Sequence, residues 1–306
     1  MKKNSKVLIT GASGFIGKNL LFFLLKQHTE IAVLDLSNNL NYGNVKKYIG
    51  DISDYDFVEK SVLDFQPNKV FHLAGFKIRS SKVEDMSLAL GVNLMGTLNL
   101  YQSLLKVSSI ESIVSLGTTD EYGINNSLFK ETSNENPISS YGFSKLCATN
   151  LAKYFSRCFN LPITILRPTI VYGPYQGLDM FIPSLINTLI LDRDFKMTAG
   201  NQIRDFIYIS DLIDVMLLVS KDISYSGQVF NVGFGKGLKL SHVAISIAKV
   251  LKKESLLKLG SIPYRKNEVM EYNTSVAKIH KKFGWIPKVN LKKGIELTIE
   301  YFEDDK

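Results

Sequence analysis

A chain of 306 residues with 45% hydrophobic residues can bury a large core, and it is long enough to carry a second lobe beside a first domain. The formal net charge is +8 at pH 7. The lysines are nevertheless scattered and interleaved with acidic residues, and no stripe of alternating aromatic and basic residues accompanies them. We therefore predict solvated helix faces, with a small contribution to attracting an anionic substrate, and no nucleic-acid partner.

The apolar runs and the cysteines exclude further classes of protein. The run after the basic start is cut at Thr10, which leaves it too short for the core of a signal peptide, and the run from Leu20 to Leu25 cannot span a bilayer. Cys147 and Cys158 lie on one predicted helix, roughly 16 Å apart, which is too far for a disulfide. We expect a cytoplasmic protein with reduced thiols, no membrane partner and no metal site.

The first half of the chain alternates between apolar runs and amphipathic segments. Strands are predicted at 6–10, 30–35, 46–49, 69–74, 110–116 and 162–167, and helices at 14–26, 54–64, 86–107 and 140–159. This alternation predicts an α/β fold of the Rossmann type, a doubly wound parallel sheet with helices on both faces.

The first strand leads directly into a glycine-rich turn. The run from Val7 to Thr10 is followed by Gly11, Gly14 and Gly17, with Ser13, Phe15 and Ile16 between them. The first glycine permits the tight turn, the second lets backbone N–H groups approach a pyrophosphate, and the third lets helix and strand pack closely. The spacing alone fits both a nucleotide-binding turn and an ordinary strand–helix connection.

Asp35 ends the second strand, 35 − 17 = 18 residues after the last glycine. A carboxylate at this place accepts hydrogen bonds from both hydroxyls of an adenosine ribose. The same charge repels a 2′-phosphate, and no Arg or Lys follows before Lys46. We therefore predict that NAD is the cofactor and that NADP is disfavoured.

Two later strand ends add contacts for the same cofactor. Asp51 and Ile52 follow the third strand, where a carboxylate can meet the adenine amino group. The fourth strand closes with His72, Leu73, Ala74 and Gly75. The small residues in this segment would let a cofactor lie close to the backbone. His72 itself is interpreted as a packed or hydrogen-bonded side chain and not as a catalyst.

Residues 118–145 carry the predicted chemistry. Thr118 lies at the carboxyl end of the fifth strand, the edge at which ligands bind in such sheets. Tyr141 and Lys145 are four residues apart, so they share one face of the predicted helix. A nearby ammonium favours the phenolate and lowers the pKa of a tyrosine, and the threonine hydroxyl can orient the same substrate oxygen.

Taken together, these motifs resemble the extended short-chain dehydrogenase/reductases of the NAD-dependent epimerase/dehydratase family. The resemblance rests on Thr10–Gly17, Asp35, His72–Gly75, Asn93–Thr97, Tyr122-Gly123, Tyr141–Lys145, Arg167-Pro168, Val171–Pro174, Arg204–Phe206, Asn231–Gly233 and Gly284–Pro287. It implies NAD(P)-dependent chemistry on a nucleoside-diphosphate sugar, in polysaccharide biosynthesis. It also implies a homodimer joined through helices 86–107 and 140–159.

The resemblance assigns roles to single residues. Thr118, Tyr141 and Lys145 are catalytic by this comparison, and Asn93, Tyr141 and Lys145 join the cofactor contacts already named. Arg204 and Arg265 fall where the family grips the substrate diphosphate, with Thr118, Thr119 and Asp120 at the sugar. A guanidinium suits a diphosphate because it is bidentate and permanently charged.

The resemblance also implies a discontinuous second lobe. The dinucleotide-binding domain is predicted to comprise 1–168 and 202–233. The nucleotide-sugar-binding lobe is predicted to comprise 169–201 and 234–306, and to close over the sugar so that water is excluded.

The reaction is left open between three chemistries at the sugar. Dehydratases of this family follow the threonine with Asp and Glu, whereas here Thr119 and Asp120 come next and Glu121 one place later, unless the loop carries a one-residue deletion. The run Gln202–Ile207, with Asn267–Met270 downstream, is similar to 4-keto-6-deoxy-sugar reductases of the abequose-synthase group. Asp35 favours an epimerase, which holds NAD tightly. We place reduction at C4 slightly ahead of 4-epimerisation, and dehydration third.

Two interpretations without catalysis are disfavoured by the sequence. A regulatory homologue that binds a dinucleotide as a sensor usually lacks the Tyr–Lys pair, which this chain has. An RNA-binding module would need a continuous lysine stripe, and the sequence has none.

Overall fold

A seven-stranded sheet and a smaller four-stranded sheet organise the chain. The computed structural model describes residues 5–27, 29–38, 43–77, 83–124, 128–265 and 268–304. In chain order the strands are β1 (Lys6–Thr10), β2 (Glu30–Asp35), β3 (Val45–Ile49), β4 (Lys69–His72), β5 (Ser112–Leu116), β6 (Ile163–Pro168), β7 (Ile170–Tyr172), β8 (Phe195–Lys196), β9 (Ile203–Tyr208), β10 (Val229–Val232), β11 (Gly237–Lys239), β12 (Leu257–Lys258) and β13 (Glu271–Tyr272).

The helices follow the same order. They are α1 (Phe15–Leu25), α2 (Tyr55–Phe65), α3 (Val83–Leu90), α4 (Gly96–Leu104), α5 (Ser140–Phe159), α6 (Phe181–Ile190), α7 (Ile209–Val219), α8 (Leu240–Leu251), α9 (Ala277–Phe283) and α10 (Leu291–Asp304). In the described part of the chain, none of these helices has the length and apolarity needed to cross a membrane.

The large sheet has the strand order β10-β6-β5-β4-β1-β2-β3, and β1 to β6 pair in parallel. The order reverses at β1, where the chain runs outward first to β2 and β3 and later to β4 and β5. Ligands bind in the crevice at the carboxyl ends of the strands beside such a reversal. The predicted α/β, Rossmann-type fold is confirmed.

Helices cover both faces of this sheet. Leu8, Val70 and Ile113 from the strands share one buried cluster with side chains of α2, α4 and α5. Val7 and Ile9, the neighbours of Leu8, are also fully buried. They point to the opposite face, because successive side chains of a strand alternate. Burial on both sides explains why the centres of β1 and β2 are continuous apolar runs.

Most predicted boundaries agree with the structure, but β4 is shorter than the predicted strand 69–74. It ends at His72, although the backbone N–H of Leu73 still donates to the backbone carbonyl of Thr10 at 3.1 Å. The backbone N–H groups of Leu73 and Ala74 both donate to Thr10 Oγ1, at 3.1 Å each. The strand therefore ends two residues before the end that the sequence predicts.

The predicted single helix 86–107 is interrupted. Residues Gly91–Met95 form a π turn between α3 and α4. The turn carries Asn93 into the interior, where its amide bonds the backbone of Phe76 through both Oδ1 and Nδ2, at 2.7 and 2.9 Å, and donates to Ser144 Oγ at 2.8 Å. A π turn inside a helix is common at functional sites.

The chain divides into two compact units. The first comprises Met1–Asn125, Glu131–Arg167 and Ile213–Phe230, and the second comprises Asn126–Lys130, Pro168–Leu212 and Asn231–Lys306. Residues 202–212 were predicted to return to the sheet, but β9 pairs with β7, β11 and β13 in the smaller sheet. The assignment of the two units to the dinucleotide and the sugar remains a prediction.

The second unit has a core of its own. Its sheet has the order β11-β9-β13, with β7 also paired to β9. The helices contribute a set of fully or almost fully buried side chains: Ile182, Leu185, Ile186 and Leu189 of α6, Val243, Ala244, Ile247 and Ala248 of α8, and Ile295 and Ile299 of α10. Packing of this kind stabilises the unit mainly by burying apolar surface.

Candidate active site

The turn after β1 is built so that only glycine fits at two of its positions. Gly11 has a φ of +71°, and a Cβ on it would lie 2.6 Å from the backbone nitrogen of Ala74. A Cβ on Gly17 would collide with the carbonyl oxygen of Gly11. The predicted tight turn and close helix–strand contact are therefore present, for the steric reasons that the sequence suggested.

The amino end of α1 is open toward an anion. Gly14, exposed and in an extended conformation, is the N-cap of α1, and no side chain caps the helix there. The first turn of α1 contains no acidic residue. Unsatisfied N–H groups and the positive end of the helix dipole suit a phosphate. This cradle therefore fits the pyrophosphate of a dinucleotide.

Asp35 is buried and firmly oriented. Its carboxylate accepts from the backbone N–H and the hydroxyl of Ser13, at 2.7 and 2.6 Å, and from the backbone N–H of Ser37 at 2.9 Å. Ser13 thereby connects the glycine-rich turn to the end of β2. A carboxylate held in this way is placed for the ribose hydroxyls, and its charge opposes a 2′-phosphate.

We predict that apo protein binds NAD more tightly than NADP, and that Asp35→Ser narrows the difference by removing the charge that repels the 2′-phosphate. Calorimetric titration with both dinucleotides measures this. Asp56→Asn, an exposed change of the same charge on α2, serves as the control. Tighter binding of NADP by the wild-type protein would contradict the prediction.

The other predicted cofactor contacts lie around the same edge of the sheet. Asp51 is exposed and accepts from the backbone N–H of Ser53 at 2.8 Å. Ile52 is buried beneath α4, where a Cβ on Gly96 would lie 2.6 Å from its Cγ2. Gly75 faces the Asn93 amide, and a Cβ on it would lie 3.2 Å from Asn93 Oδ1. Their contacts with a cofactor remain predictions.

His72 is a structural residue, as the sequence indicated. Its Nδ1 lies 2.8 Å from Thr10 Oγ1 and its Nε2 lies 2.8 Å from Thr97 Oγ1. Complete burial, reinforced by the positive charge of Lys145, lowers the pKa of His72 to about 3. The ring is therefore neutral near pH 7 and joins β1, β4 and α4.

Thr118 begins a short 3-10 turn, Thr119–Glu121, just after β5. Its hydroxyl accepts from the backbone N–H of Asp120 at 3.2 Å, and its own backbone N–H donates to Glu121 Oε1 at 2.8 Å. This reciprocal capping box fixes the turn. Thr118 and Thr119 are buried, and Asp120 is half-buried.

The first turn of α5 is packed against this 3-10 turn. A Cβ on Gly142 would lie 2.7 Å from the carbonyl oxygen of Asp120, so the two segments can approach only because residue 142 is glycine. Ser139 caps the helix by accepting from the Gly142 N–H at 3.1 Å. Tyr141 and Lys145 follow on one helical face. The structure thus brings them to the turn that carries Thr118.

Lys145 is 7% exposed. Burial lowers its pKa to about 8, and the charge of Glu121 opposes this fall. A buried lysine with a lowered pKa is typical of catalytic sites, because desolvation disfavours the ammonium and charged neighbours then decide its state.

Sequence reasoning missed a buried ion-pair cluster under this site. Arg167, at the end of β6, pairs with Glu121 and Glu135, each 2.5 Å from its Nη2. Arg167 and Glu121 are both 0% exposed, and the guanidinium carbon lies 4.8 Å from the Tyr122 ring centroid. Burial alone would lower the pKa of Arg167, but the charge of Glu121 raises it. The available signal was a charged residue directly after the mostly apolar run Ile163–Leu166.

The two predicted substrate arginines belong to the second unit. Arg204 Nη2 lies 2.8 Å from Glu268 Oε1, and its guanidinium carbon lies 5.1 Å from the Tyr272 ring centroid. Arg265 is exposed, and its carbonyl accepts from the Glu268 N–H at 3.1 Å. Glu268 therefore contacts both. Asn267, cited in the sequence comparison, lies outside the described residues.

The fold and the site define a class of protein: a Rossmann-type, dinucleotide-binding domain with a Thr, a Tyr and a Lys beside the carboxyl edge of its sheet. Among solved structures, the UDP-glucose 4-epimerase of Thermotoga maritima with UDP-glucose is similar at a TM-score of 0.91 and 26% identity, over 98% of this chain and 99% of that chain. The UDP-glucose 4-epimerase of Thermus thermophilus in complex with NAD is similar at a TM-score of 0.88 and 27% identity, over 97% and 99%.

Sequence relatives point the same way. The dTDP-D-glucose 4,6-dehydratase of Homo sapiens is 28% identical over 98% of this chain and 90% of its own length. The sequence profile of the NAD dependent epimerase/dehydratase family matches residues 7–233. The chain belongs to this family, and it is an NAD-dependent enzyme of the extended short-chain dehydrogenase/reductase type.

Proposed function

We propose that this enzyme transfers hydride at C4 of a nucleoside-diphosphate hexose, and that its reaction is the reduction of a 4-keto-6-deoxy sugar. The position of the Tyr141–Lys145 face against the Thr118 turn supports chemistry on a single hydroxyl or keto group. The similarity of residues Gln202–Ile207 to 4-keto-sugar reductases supports the direction.

The residues of this chain would act as follows. Tyr141 donates its phenolic proton to the C4 oxygen. Thr118 donates a hydrogen bond to the same oxygen and orients it, and Lys145, as an ammonium, favours the phenolate that remains on Tyr141. NAD in its reduced form supplies the hydride when bound.

The environment of Glu121 is the observation that carries this choice against elimination. A 4,6-dehydratase needs a carboxylate base at C5 and an acid for the C6 hydroxyl. Counted without gaps from Thr118, the sequence loses the acid position of the dehydratase motif, unless the loop carries a one-residue deletion. In the structure the Glu121 carboxylate is fully buried and paired with Arg167, at 2.7 Å from Nε. A base engaged in this way is poorly placed to reach a sugar carbon.

4-Epimerisation with retained NAD is the second candidate. It is favoured by the likeness to the two UDP-glucose 4-epimerases and by the oriented carboxylate of Asp35, which suits NAD. An epimerase returns its hydride to the opposite face of the same sugar, so its dinucleotide is regenerated and can stay bound. A reductase consumes one reduced cofactor in each turnover and must exchange it.

These two candidates are separated by one experiment. We expect acid-denatured protein to release far less than one equivalent of NAD. We also expect a nucleoside-diphosphate-4-keto-6-deoxyhexose to oxidise added NADH, followed by the loss of absorbance at about 340 nm. A full equivalent of NAD, together with interconversion of C4 epimers without added cofactor, would replace the reductase proposal with the epimerase.

The substrate diphosphate is proposed to bind Arg204 and Arg265. Arg204 is stacked over Tyr272 and already neutralised by Glu268, so a diphosphate would have to compete with that carboxylate. Arg265 is exposed and lies on the same short segment as Glu268. Loss of nucleotide-sugar binding in Arg204→Met and Arg265→Met, measured by calorimetry, would support this assignment, and unchanged binding would oppose it.

A homodimer is proposed on the outward face of α5. Phe143 and Tyr154 are 41% and 46% exposed, and they lie on one stripe of the helix with Cys147 and Cys158. An apolar stripe of this kind on a helix marks an interaction surface. Light scattering that gives twice 34.4 kDa supports the dimer, and the monomer mass opposes it. A cytoplasmic location and a role in polysaccharide biosynthesis remain predictions from the sequence.

A further inference from the structure

Glu121 has hydrogen-bond partners on three different segments. Oε1 accepts from the backbone N–H of Thr118 at 2.8 Å and from the hydroxyl of Thr149 at 3.1 Å. Oε2 accepts from Arg167 Nε at 2.7 Å. One buried carboxylate therefore joins the turn after β5, the helix α5 and the end of β6.

Its contact with α5 falls at an informative place. Thr149 follows Lys145 by four residues, so the two side chains lie one above the other on the same helical face. Glu121 is thus bonded one helical turn beyond Lys145. Gly117, just before Thr118, leaves space for the Glu121 carboxylate, because a Cβ on Gly117 would collide with Glu121 Oε1. A side chain at residue 117 would displace the carboxylate from this position.

We propose that Glu121 is a positioning residue for the Tyr141–Lys145 pair: it ties the Thr118 turn to α5 and supplies the buried negative charge that faces Lys145. This inference rests on the proposed function for its catalytic meaning. It assigns to Glu121 a task different from that of a dehydratase base, with Arg167 holding the carboxylate in place.

Few charged groups share this environment with Lys145. Glu121 faces it from the 3-10 turn, and His72 faces it from the end of β4 as a neutral ring. The π turn packed against α5 presents Asn93, an uncharged amide, to Ser144. Tyr141 precedes Lys145 by one turn of α5. The positive charge of Arg167 compensates the carboxylates of Glu121 and Glu135. Lys153 Nζ lies 3.5 Å from Glu135 Oε1.

The sign of the effect follows from these charges. Burial lowers the pKa of Lys145 to about 8, and the negative charge of Glu121 raises it against that fall. Burial also raises the pKa of Glu121, while Arg167 and the Thr118 and Thr149 hydrogen bonds oppose this rise and favour the carboxylate. Neutralising Glu121 should therefore shift the Lys145 titration to lower pH, so that less ammonium remains at pH 7.

The test compares Glu121→Gln with Glu135→Gln in the full-length protein. Both remove one carboxylate from Arg167, but of the two only Glu121 acts on the charge of Lys145. Carbon-13 NMR of the lysine Cε, with the Lys145 signal assigned as the one lost in Lys145→Met, follows the titration directly. We expect the Lys145 midpoint to fall by about one pH unit in E121Q and to stay in place in E135Q.

Two outcomes overturn the inference: a Lys145 midpoint that does not move in E121Q, or one that moves equally in both variants. Should E121Q not fold, Glu121→Asp replaces it, because the charge is then withdrawn from α5 by one methylene. A midpoint below that of the wild type supports the inference there, and an unchanged midpoint contradicts it. No substrate is needed, so a failure of the proposed function appears separately, as absent turnover by the wild-type enzyme.

Discussion

Replacing Tyr141 by Phe is expected to lower turnover a hundredfold or more while leaving NAD binding nearly unchanged. The substitution removes only the phenolic oxygen, and general acid catalysis by a positioned side chain contributes typically ~10²–10⁴-fold. The aromatic ring stays on the half-buried face of α5, so the helix should keep its packing. Steady-state turnover and calorimetric titration with NAD measure the two quantities separately.

Tyr154→Phe is the matched control for this change. Tyr154 lies on the same helix, 46% exposed, on the outward stripe and away from Lys145. Loss of its hydroxyl should leave turnover close to that of the wild type. A Tyr141→Phe enzyme that keeps a tenth or more of the wild-type rate would assign the proton donor to another residue.

Replacing Arg167 by Met is expected to lower the free energy of unfolding by about 3–5 kcal/mol, the scale for removing one partner of a buried ion pair. Arg167 is completely buried and compensates two carboxylates, Glu121 and Glu135. Without it, the buried Glu121 must stay charged without its partner or take up a proton. Urea unfolding at neutral pH measures the loss, with the exposed Arg157→Met on α5 as the control.

The loss in Arg167→Met should shrink as the pH falls. Burial alone would raise the pKa of Glu135, but the hydrogen bond and charge of Arg167 hold it below its usual value. A carboxyl with a lowered pKa in the folded state stabilises the protein above its unfolded pKa, and this stabilisation is lost as acid protonates it. At low pH the wild-type protein therefore loses the stabilisation that comes from the Arg167–Glu135 ion pair. The difference in free energy of unfolding between the wild type and Arg167→Met becomes smaller. A destabilisation of under about 1 kcal/mol at pH 7 would contradict this account.

The elements whose pattern is set locally were predictable from the sequence. The strands β1 and β2 and the helix α5 have the predicted bounds, because apolar runs buried on both faces and a capped amphipathic helix leave clear periodic signals. The glycine-rich turn was predictable for the same reason. Gly11 is required by its own backbone φ of +71° and Gly17 by its contact with Gly11 and Ala12, although a Cβ on Gly11 would also meet the distant Ala74.

Features that depend on distant partners were not predictable. The π turn at Gly91–Met95 places Asn93 in contact with Phe76 and Ser144, and beyond β4 the Thr10 hydroxyl accepts from the backbone N–H groups of Leu73 and Ala74. The hydrophobic periodicity of the sequence does not indicate either of these contacts. The strand β9 similarly pairs with segments that lie far from it along the chain.

The residues of the candidate site also differ in whether local sequence spacing could predict their arrangement. Tyr141 and Lys145 could be placed together from their spacing, since four residues make one helical turn. The role of Glu121 could not, because its partners come from positions 118, 149 and 167. Counted without gaps, the residues after Thr118 differ from the dehydratase motif, and only a one-residue deletion in the loop would restore it. In the structure the Glu121 side chain lies in an ion pair with Arg167, a contact that the sequence does not indicate.

The destination of the hydride tests the central claim most directly. The protein is incubated with a nucleoside-diphosphate-4-keto-6-deoxyhexose and NADH that carries deuterium at the transferred position, and the sugar product is analysed by NMR. Transfer at C4 predicts one deuterium on the C4 carbon of the product and none elsewhere, with Tyr141→Phe slowing its appearance a hundredfold or more. A product formed without deuterium at C4, or with deuterium at another ring carbon, would contradict the claim.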